Sequence, residues 1–110
     1  MTELSAEDRK LVTLARATRA RTNAAEGAAV RDLDGRTYAG ASVALASLSL
    51  SALDVCVAMA IASGSRGLEA AVVLTAEAEP SLDAAREFTG SGVPVHVGDA
   101  RGTIGSILST

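Results

Sequence analysis

The sequence predicts an α/β fold, a three-layer α/β/α sandwich built on a mixed sheet of four to five strands. Three observations predict it. Helical and extended patterns follow one another in the order helix, hairpin, helix, strand, helix, strand. A strong Asp-Gly hairpin signal lies at Asp34-Gly35. The run Ala70-Ala71-Val72-Val73-Leu74 is continuously apolar, as in a central strand covered on both faces. With 110 residues, 48% of them hydrophobic, the chain is expected to form one domain over residues 1–110.

The first helix is expected from about Ala6 to Arg21. Ser5 is a good N-cap before Glu7 and Asp8, and Leu11, Leu14, Ala15 and Thr18 recur at helical spacing. Arg16, Arg19 and Arg21 complement the negative end of its dipole and read as a solvated face. After a loop over 23–27, Ala28–Leu33 and Arg36–Gly40 flank Asp34-Gly35 as the two strands of a hairpin, with a type I′ turn at these two residues. Ala41 to Leu50 is small, apolar and serine-dotted without a clean period, and is expected to be an irregular crossover.

The second helix starts behind Ser51-Ala52-Leu53-Asp54. Leu53, Cys56, Val57, Ala60 and Ile61 form one apolar face, and Val55, Ala58, Met59 and Ala62 make the other face apolar too. Burial on every side is hard in so small a chain without a second copy, so a homo-oligomer, dimer or tetramer, is expected through this helix. Ser63-Gly64 ends it. A third helix is expected from Pro80-Ser81 through Phe88, and a strand over Val93–Val97 with Pro94 in its first turn or at an edge. Thr103 to Leu108 adds a last short strand or turn. Right-handed crossovers place the second and third helices on one face of the sheet and the first helix on the other.

Composition narrows the function. Ala fills 23 positions, Phe and Tyr occur once each and Trp not at all, so the core must form by close approach of small side chains. Nine of the ten basic residues are Arg, the bias of a GC-rich genome. A net charge of −3 and a pI near 5.0 argue against a nucleic-acid partner. No charge-free stretch reaches the roughly 20 residues of a membrane helix, and Glu3, Glu7 and Asp8 are unlike a signal peptide. No membrane association and a cytoplasmic location are expected. Cys56 is the only cysteine, so neither an intrachain disulfide nor a thiolate zinc cluster within one chain is possible.

In order and spacing, the hairpin Asp34-Gly35-Arg36-Thr37-Tyr38-Ala39-Gly40, the helix ending Ala60-Ile61-Ala62-Ser63-Gly64, the strand Ala71-Val72-Val73-Leu74, the Pro80 helix and the strand Val93-Pro94-Val95-His96-Val97 resemble the cytidine deaminase superfamily. The resemblance runs from about Ala6 to Leu108. It implies a zinc ion held by one His or Cys and two further Cys, which activates a water, with a Glu shuttling protons. The family's first motif, Cys or His followed by Ala-Glu, falls on Ser51-Ala52-Leu53. The second, Pro-Cys-x-x-Cys, falls on Pro80-Ser81-Leu82-Asp83-Ala84, and the substrate-binding Asn-Val-Glu-Asn falls on Ser42-Val43-Ala44-Leu45.

The resemblance thus marks a vestigial pocket at Ser42, Leu45, Ser51, Ala52, Leu53, Pro80, Ser81 and Ala84. Ser51, Ser81 and Ala84 stand where the ligands belong, and Leu53 cannot accept a proton. No catalytic residue, no metal site and no cofactor are expected. Cys56 reads as a buried small hydrophobe and His96 as a structural or surface residue; together they fall short of the three protein ligands of a catalytic zinc. The expected function is a catalytically silent deaminase-like protein acting as a homo-oligomeric structural or interaction protein. Two alternatives are a nucleoside deaminase with a non-standard site and a module binding an unknown small ligand or anion. The last rests on Ser51 and Ser81 each capping a helix whose positive dipole end is left unneutralised.

Overall fold

The computed structural model describes residues 4–110. Helix α1 (Ala6–Thr22) begins as its sequence requires: the Ser5 hydroxyl oxygen accepts the Asp8 N–H at 3.1 Å, and Asn23 ends the helix in the left-handed conformation, φ 52°. Strands β1 (Gly27–Asp32) and β2 (Thr37–Ala41) form the hairpin. Its turn differs from the type I′ expectation. Asp34 keeps a negative φ and only Gly35 is left-handed, at φ 85°. The Gly35 N–H closes on the Asp32 carbonyl at 3.1 Å, and the Asp32 carboxylate accepts the N–H groups of Asp34 and Arg36 at 3.0 and 2.9 Å. A side chain two residues before the Asp-Gly pair, that of Asp32, therefore sets the turn.

The segment expected to be irregular folds into a small antiparallel arm, β3 (Val43–Ala44) and β4 (Ser49–Leu50), with Leu45 and Leu48 exchanging backbone hydrogen bonds at its tip. Helix α2 (Ala52–Ala62) follows, then β5 (Leu68–Leu74), α3 (Asp83–Thr89), β6 (Pro94–Gly98) and β7 (Ile104–Ser109). Helix α3 starts later than Pro80-Ser81 because the residue before it, Leu82, turns its side chain into the core and makes no side-chain cap. Pro94 is the first residue of an interior strand, opposite Ser109, where its missing N–H costs no bond to β7.

The five-stranded sheet has the order β2-β1-β5-β6-β7. Strand β1 is antiparallel to β2 and β5, β5 is parallel to β6, and β7 returns antiparallel along β6. Strand β5 is thus central, as its apolar run predicts. Helices α2 and α3 cover one face, where Ala52, Leu53, Cys56, Val57 and Ala60 pack with Leu82, Ala85, Val30, Val73 and Val95. Gly40 admits α2 to the sheet: a Cβ there would lie 2.8 Å from Val55 Cγ1. On the other face Leu11 and Ala15 of α1 pack on Ala29, Ala70, Val72 and Leu74. The predicted three layers are therefore present. Helix α2 is not enclosed by the chain itself, since Ala58 and Ala62 are exposed and Ile61 is 53% exposed.

The α1 face also holds a charge network. Asp8 binds Arg31 Nη2 at 2.9 Å and His96 Nε2 at 3.0 Å through its two oxygens, and Arg31 Nε binds Glu69 at 2.6 Å. Burial works to lower the Arg31 pKa, but the hydrogen bonds and charges of Glu69 and Asp8 outweigh it and raise the pKa above its ordinary value. His96, expected to be a structural or surface residue, is buried and ties β6 to the start of α1.

Candidate functional site

A cleft of about 340 Å³ opens at the carboxyl end of β5, a place where open α/β sheets commonly bind ligands. Three segments wall it: Ala25 and Glu26 before β1; the arm residues Ser42, Val43, Ala44, Ser49 and Leu50 with Ser51; and Thr75, Ala76 and Glu77 after β5. The fold brings them together because the arm joins β2 to α2, so its base must pass the end of β1.

Glu26 is the organising residue. Its backbone pairs with Ser42 twice, donating its N–H to the Ser42 hydroxyl at 3.0 Å and accepting the Ser42 N–H at 3.1 Å. Its carboxylate accepts the Ala52 N–H from the first residue of α2 at 3.2 Å and the Thr75 hydroxyl at 2.7 Å. Thr75 Oγ1 in turn accepts the Glu77 N–H at 3.0 Å. One carboxylate thus joins the entry to β1, the end of β5 and the start of α2. A negative group at a helix N-terminus is favoured by the unpaired N–H groups and the dipole there.

The residues singled out from the sequence separate in space. Ser42 and Ser51 line the cleft. Ser51 caps α2, its hydroxyl oxygen accepting the Asp54 N–H at 3.1 Å. Ala52 and Leu53 belong to the core beneath α2, with Leu53 only 1% exposed. Leu45 stands at the tip of the arm, 64% exposed. Pro80 and Ala84 are half-buried and Ser81 is exposed, and none of the three lines the cleft. The expectation of two serine-capped, unneutralised helix ends is not met. Ser81 accepts a long 3.4 Å bond from the Asp83 N–H and is not the cap of α3, while the α2 end already holds the Glu26 carboxylate.

The zinc that the resemblance implies finds no matching donors here. At the three places where the resemblance puts the ligands, Ser51, Ser81 and Ala84 offer an alcohol, an exposed alcohol and a methyl group. Among the described residues no three or more His, Cys, Asp or Glu side chains converge as a metal site. Cys56 is buried, and burial, against a weaker opposing bond from the Gly40 backbone, pushes its thiol up to about 12. His96 is on the opposite face of the sheet with Asp8. What the cleft does offer is hydrogen bonding, from the hydroxyls of Ser42, Ser49, Ser51 and Thr75 and the carboxylates of Glu26 and Glu77.

Glu26 and Thr75 carry no motif that marks them in the sequence. Glu26 is one charge in a loop, and its partners Ala52 and Thr75 are 26 and 49 residues away. The one local signal was a carboxylate immediately before a buried strand.

Fold and cleft together define an α/β protein with a polar cleft at the amino end of α2. A family model described as cytidine deaminase-like matches residues 4–102, and the chain belongs to that family. Among solved structures, the chain is similar to a cytidine deaminase from Burkholderia pseudomallei, with a TM-score of 0.75 at 22% identity over 100% of this chain and 92% of that one. A cytidine deaminase from Mycobacterium leprae gives a TM-score of 0.73 at 20% identity, covering 96% of this chain and 94% of the other. For one from Bacillus anthracis the values are 0.68 and 17%, over 96% and 84%. At these identities the likeness is one of fold. No curated protein matches the sequence.

Proposed function

We propose that this chain is a catalytically silent member of its family, a single domain over residues 1–110 that acts in the cytoplasm as a homo-oligomeric structural or interaction protein. The observation that carries the reading is Leu53. By the motif resemblance it stands at the place of the family's proton-shuttling Glu, and its side chain is packed in the apolar core with Leu82 rather than turned to the cleft. A catalytic carboxylate must reach the reacting atoms, and nothing at this position can take or give a proton. The exposed Ala58, Ile61 and Ala62 on α2 support the oligomeric part, since association would cover them.

Metal analysis of freshly purified, untagged protein is expected to find zinc well below one ion per chain, and incubation with cytidine is expected to yield no uridine. Stoichiometric zinc with uridine formation overturns the reading in favour of a deaminase with a non-standard site. Light scattering after size exclusion is expected to show a dimer or tetramer.

The cleft favours a second reading, a binding module for a small polar ligand. With the Ala52 N–H already engaged by Glu26, the ligand class is a neutral molecule bearing hydrogen-bond donors rather than an anion. Thermal shifts with nucleosides and not with phosphate or sulfate are the expected pattern; no shift with any nucleoside removes it.

A further inference from the structure

Strand β7 is an edge of the sheet and carries an unusual set of residues for one. Sheet edges present unpaired N–H and C=O groups, and proteins protect them with charge, proline, shortness or a covering element. Thr103 to Thr110 contains no charged residue and no proline. The strand itself is six residues long and packs chiefly against β6, with helices α1 and α2 placed over β1, β2 and β5. At the other edge, β2 has α1 on one face and α2 on the other.

The hydrogen-bond phase of β7 shows which groups are free. The Thr110 N–H donates to the Val93 carbonyl at 3.0 Å. In an antiparallel ladder the direction alternates residue by residue, so Leu108 and Ser106 also face β6, opposite Val95 and Val97. Pro94, which has no N–H to offer, lies opposite Ser109, as this phase demands. Gly105, Ile107 and Ser109 therefore turn both backbone groups away from the sheet. Their side chains share the α1 face, because Ile107 is the cross-strand neighbour of His96. Ile107 is 49% exposed there, and among the described residues nothing lies within 4 Å of a Cβ at Gly105.

We infer that β7 is a second homotypic interface, in which two copies pair their β7 strands antiparallel about a two-fold axis at Ile107. The groups that face outward select an extended strand as the occupant, and a second β7 meets every requirement at once. With Ile107 opposite Ile107 of the partner copy and Gly105 opposite its Ser109, each outward N–H meets an outward C=O. No charge opposes the approach. The two isoleucines cover one another at the axis, and Gly105 and Ser109 leave the space beside them. Such a contact is isologous and extends the sheet of one copy into that of the next. It is separate from the α2 surface of the proposed function, and the two can stand or fall independently.

Proline tests it cleanly. Ile107→Pro removes an N–H that the lone chain does not use, so it blocks strand pairing while leaving the β6 ladder intact; Ile107→Lys is the second variant, placing like charges at the axis. Ile61→Glu on α2 is the control surface. Light scattering is read together with amide hydrogen exchange of purified protein. The expected result is slow exchange at Gly105, Ile107 and Ser109 in the wild type, lost in either Ile107 variant together with a halving of the assembly mass, whatever Ile61→Glu does. Fast exchange at these amides in the wild type, or an assembly mass unchanged by both Ile107 variants, overturns the inference. A mass lowered by Ile61→Glu alone with those amides fast leaves the α2 contact standing and removes this one.

Discussion

Strand β1 has a carboxylate at each end, and the two behave differently. At its last residue, Asp32 is 1% exposed and accepts from four donors: the Asp34 and Arg36 N–H groups, the Ser65 hydroxyl and the Tyr38 hydroxyl at 3.3 Å. Just before its first residue, Glu26 accepts from two, Ala52 N–H and Thr75 hydroxyl, and faces a cleft. Both tie distant parts of the chain to β1. Asp32 is sealed by its donors and has no capacity left for a ligand, whereas Glu26 keeps unused lone pairs beside open space. The difference separates a carboxylate that specifies a turn from one that can serve a site.

The largest effect expected from breaking the comparison is at the sealed end. Asp32→Ala removes the shared acceptor of two backbone N–H groups and of the Ser65 and Tyr38 hydroxyls, which keep only each other at 3.1 Å, and should cost about 3 kcal/mol or more in urea denaturation, at about 1–3 kcal/mol for each buried group left unsatisfied. Acid sharpens the same point. Burial works to raise the Asp32 pKa, but the bonds from Ser65, Arg36, Asp34 and Tyr38 outweigh it and hold the pKa below 3.8. Its stabilising contribution is therefore fully present above the unfolded value and is lost as pH falls through the lower folded value. A urea midpoint measured from pH 6 down to pH 2 should drop most steeply below pH 4 in the wild type, and less steeply in Asp32→Asn.

The open end should respond less in stability and more in binding. Glu26→Ala is expected to cost about 1.5–3 kcal/mol, the range for a hydrogen bond to a charged group. It also uncovers the α2 N-terminus, so phosphate should raise the melting temperature of the variant and not of the wild type. If phosphate stabilises both equally, Glu26 does not occupy that end. Smaller still is the contrast between the serines: Ser51→Ala should cost about 1 kcal/mol through the lost cap, and Ser81→Ala should stay within about 0.5 kcal/mol, as at an ordinary surface position. Equal costs at the two would contradict the cap geometry.

Much of the fold was legible because it follows local rules. Ser5 and Ser51 cap where their sequences predict, and the apolar run Ala70–Leu74 lies in the central strand. Helix α3 starts later than its sequence suggests because Pro80-Ser81 looks like a start by local rules, while Leu82 is drawn into the core by tertiary packing. The arm at 43–50 was unreadable for a different reason. Two short strands of Ser, Ala, Val and Leu have no period long enough to recognise, and they pair because β2 and α2 fix their ends. The Asp34-Gly35 pair signals the turn but not its type, since the deciding group is the Asp32 side chain. The cleft was only half legible: Ser42 and Ser51 could be read from family motifs, whereas Glu26 and Thr75 gain their roles from contacts across the fold.

The buried Cys56 has a practical consequence. The protein's only sulfhydryl is 0% exposed with its thiol pushed up to about 12, so it is almost wholly protonated and shielded at neutral pH. The folded wild-type protein is in effect a blank background for thiol chemistry. A cysteine introduced on the arm, on α2 or on β7 becomes the one site that a spin label, a dye or a cross-linker attaches to, and distances between copies can be measured without first deleting a native residue from the core.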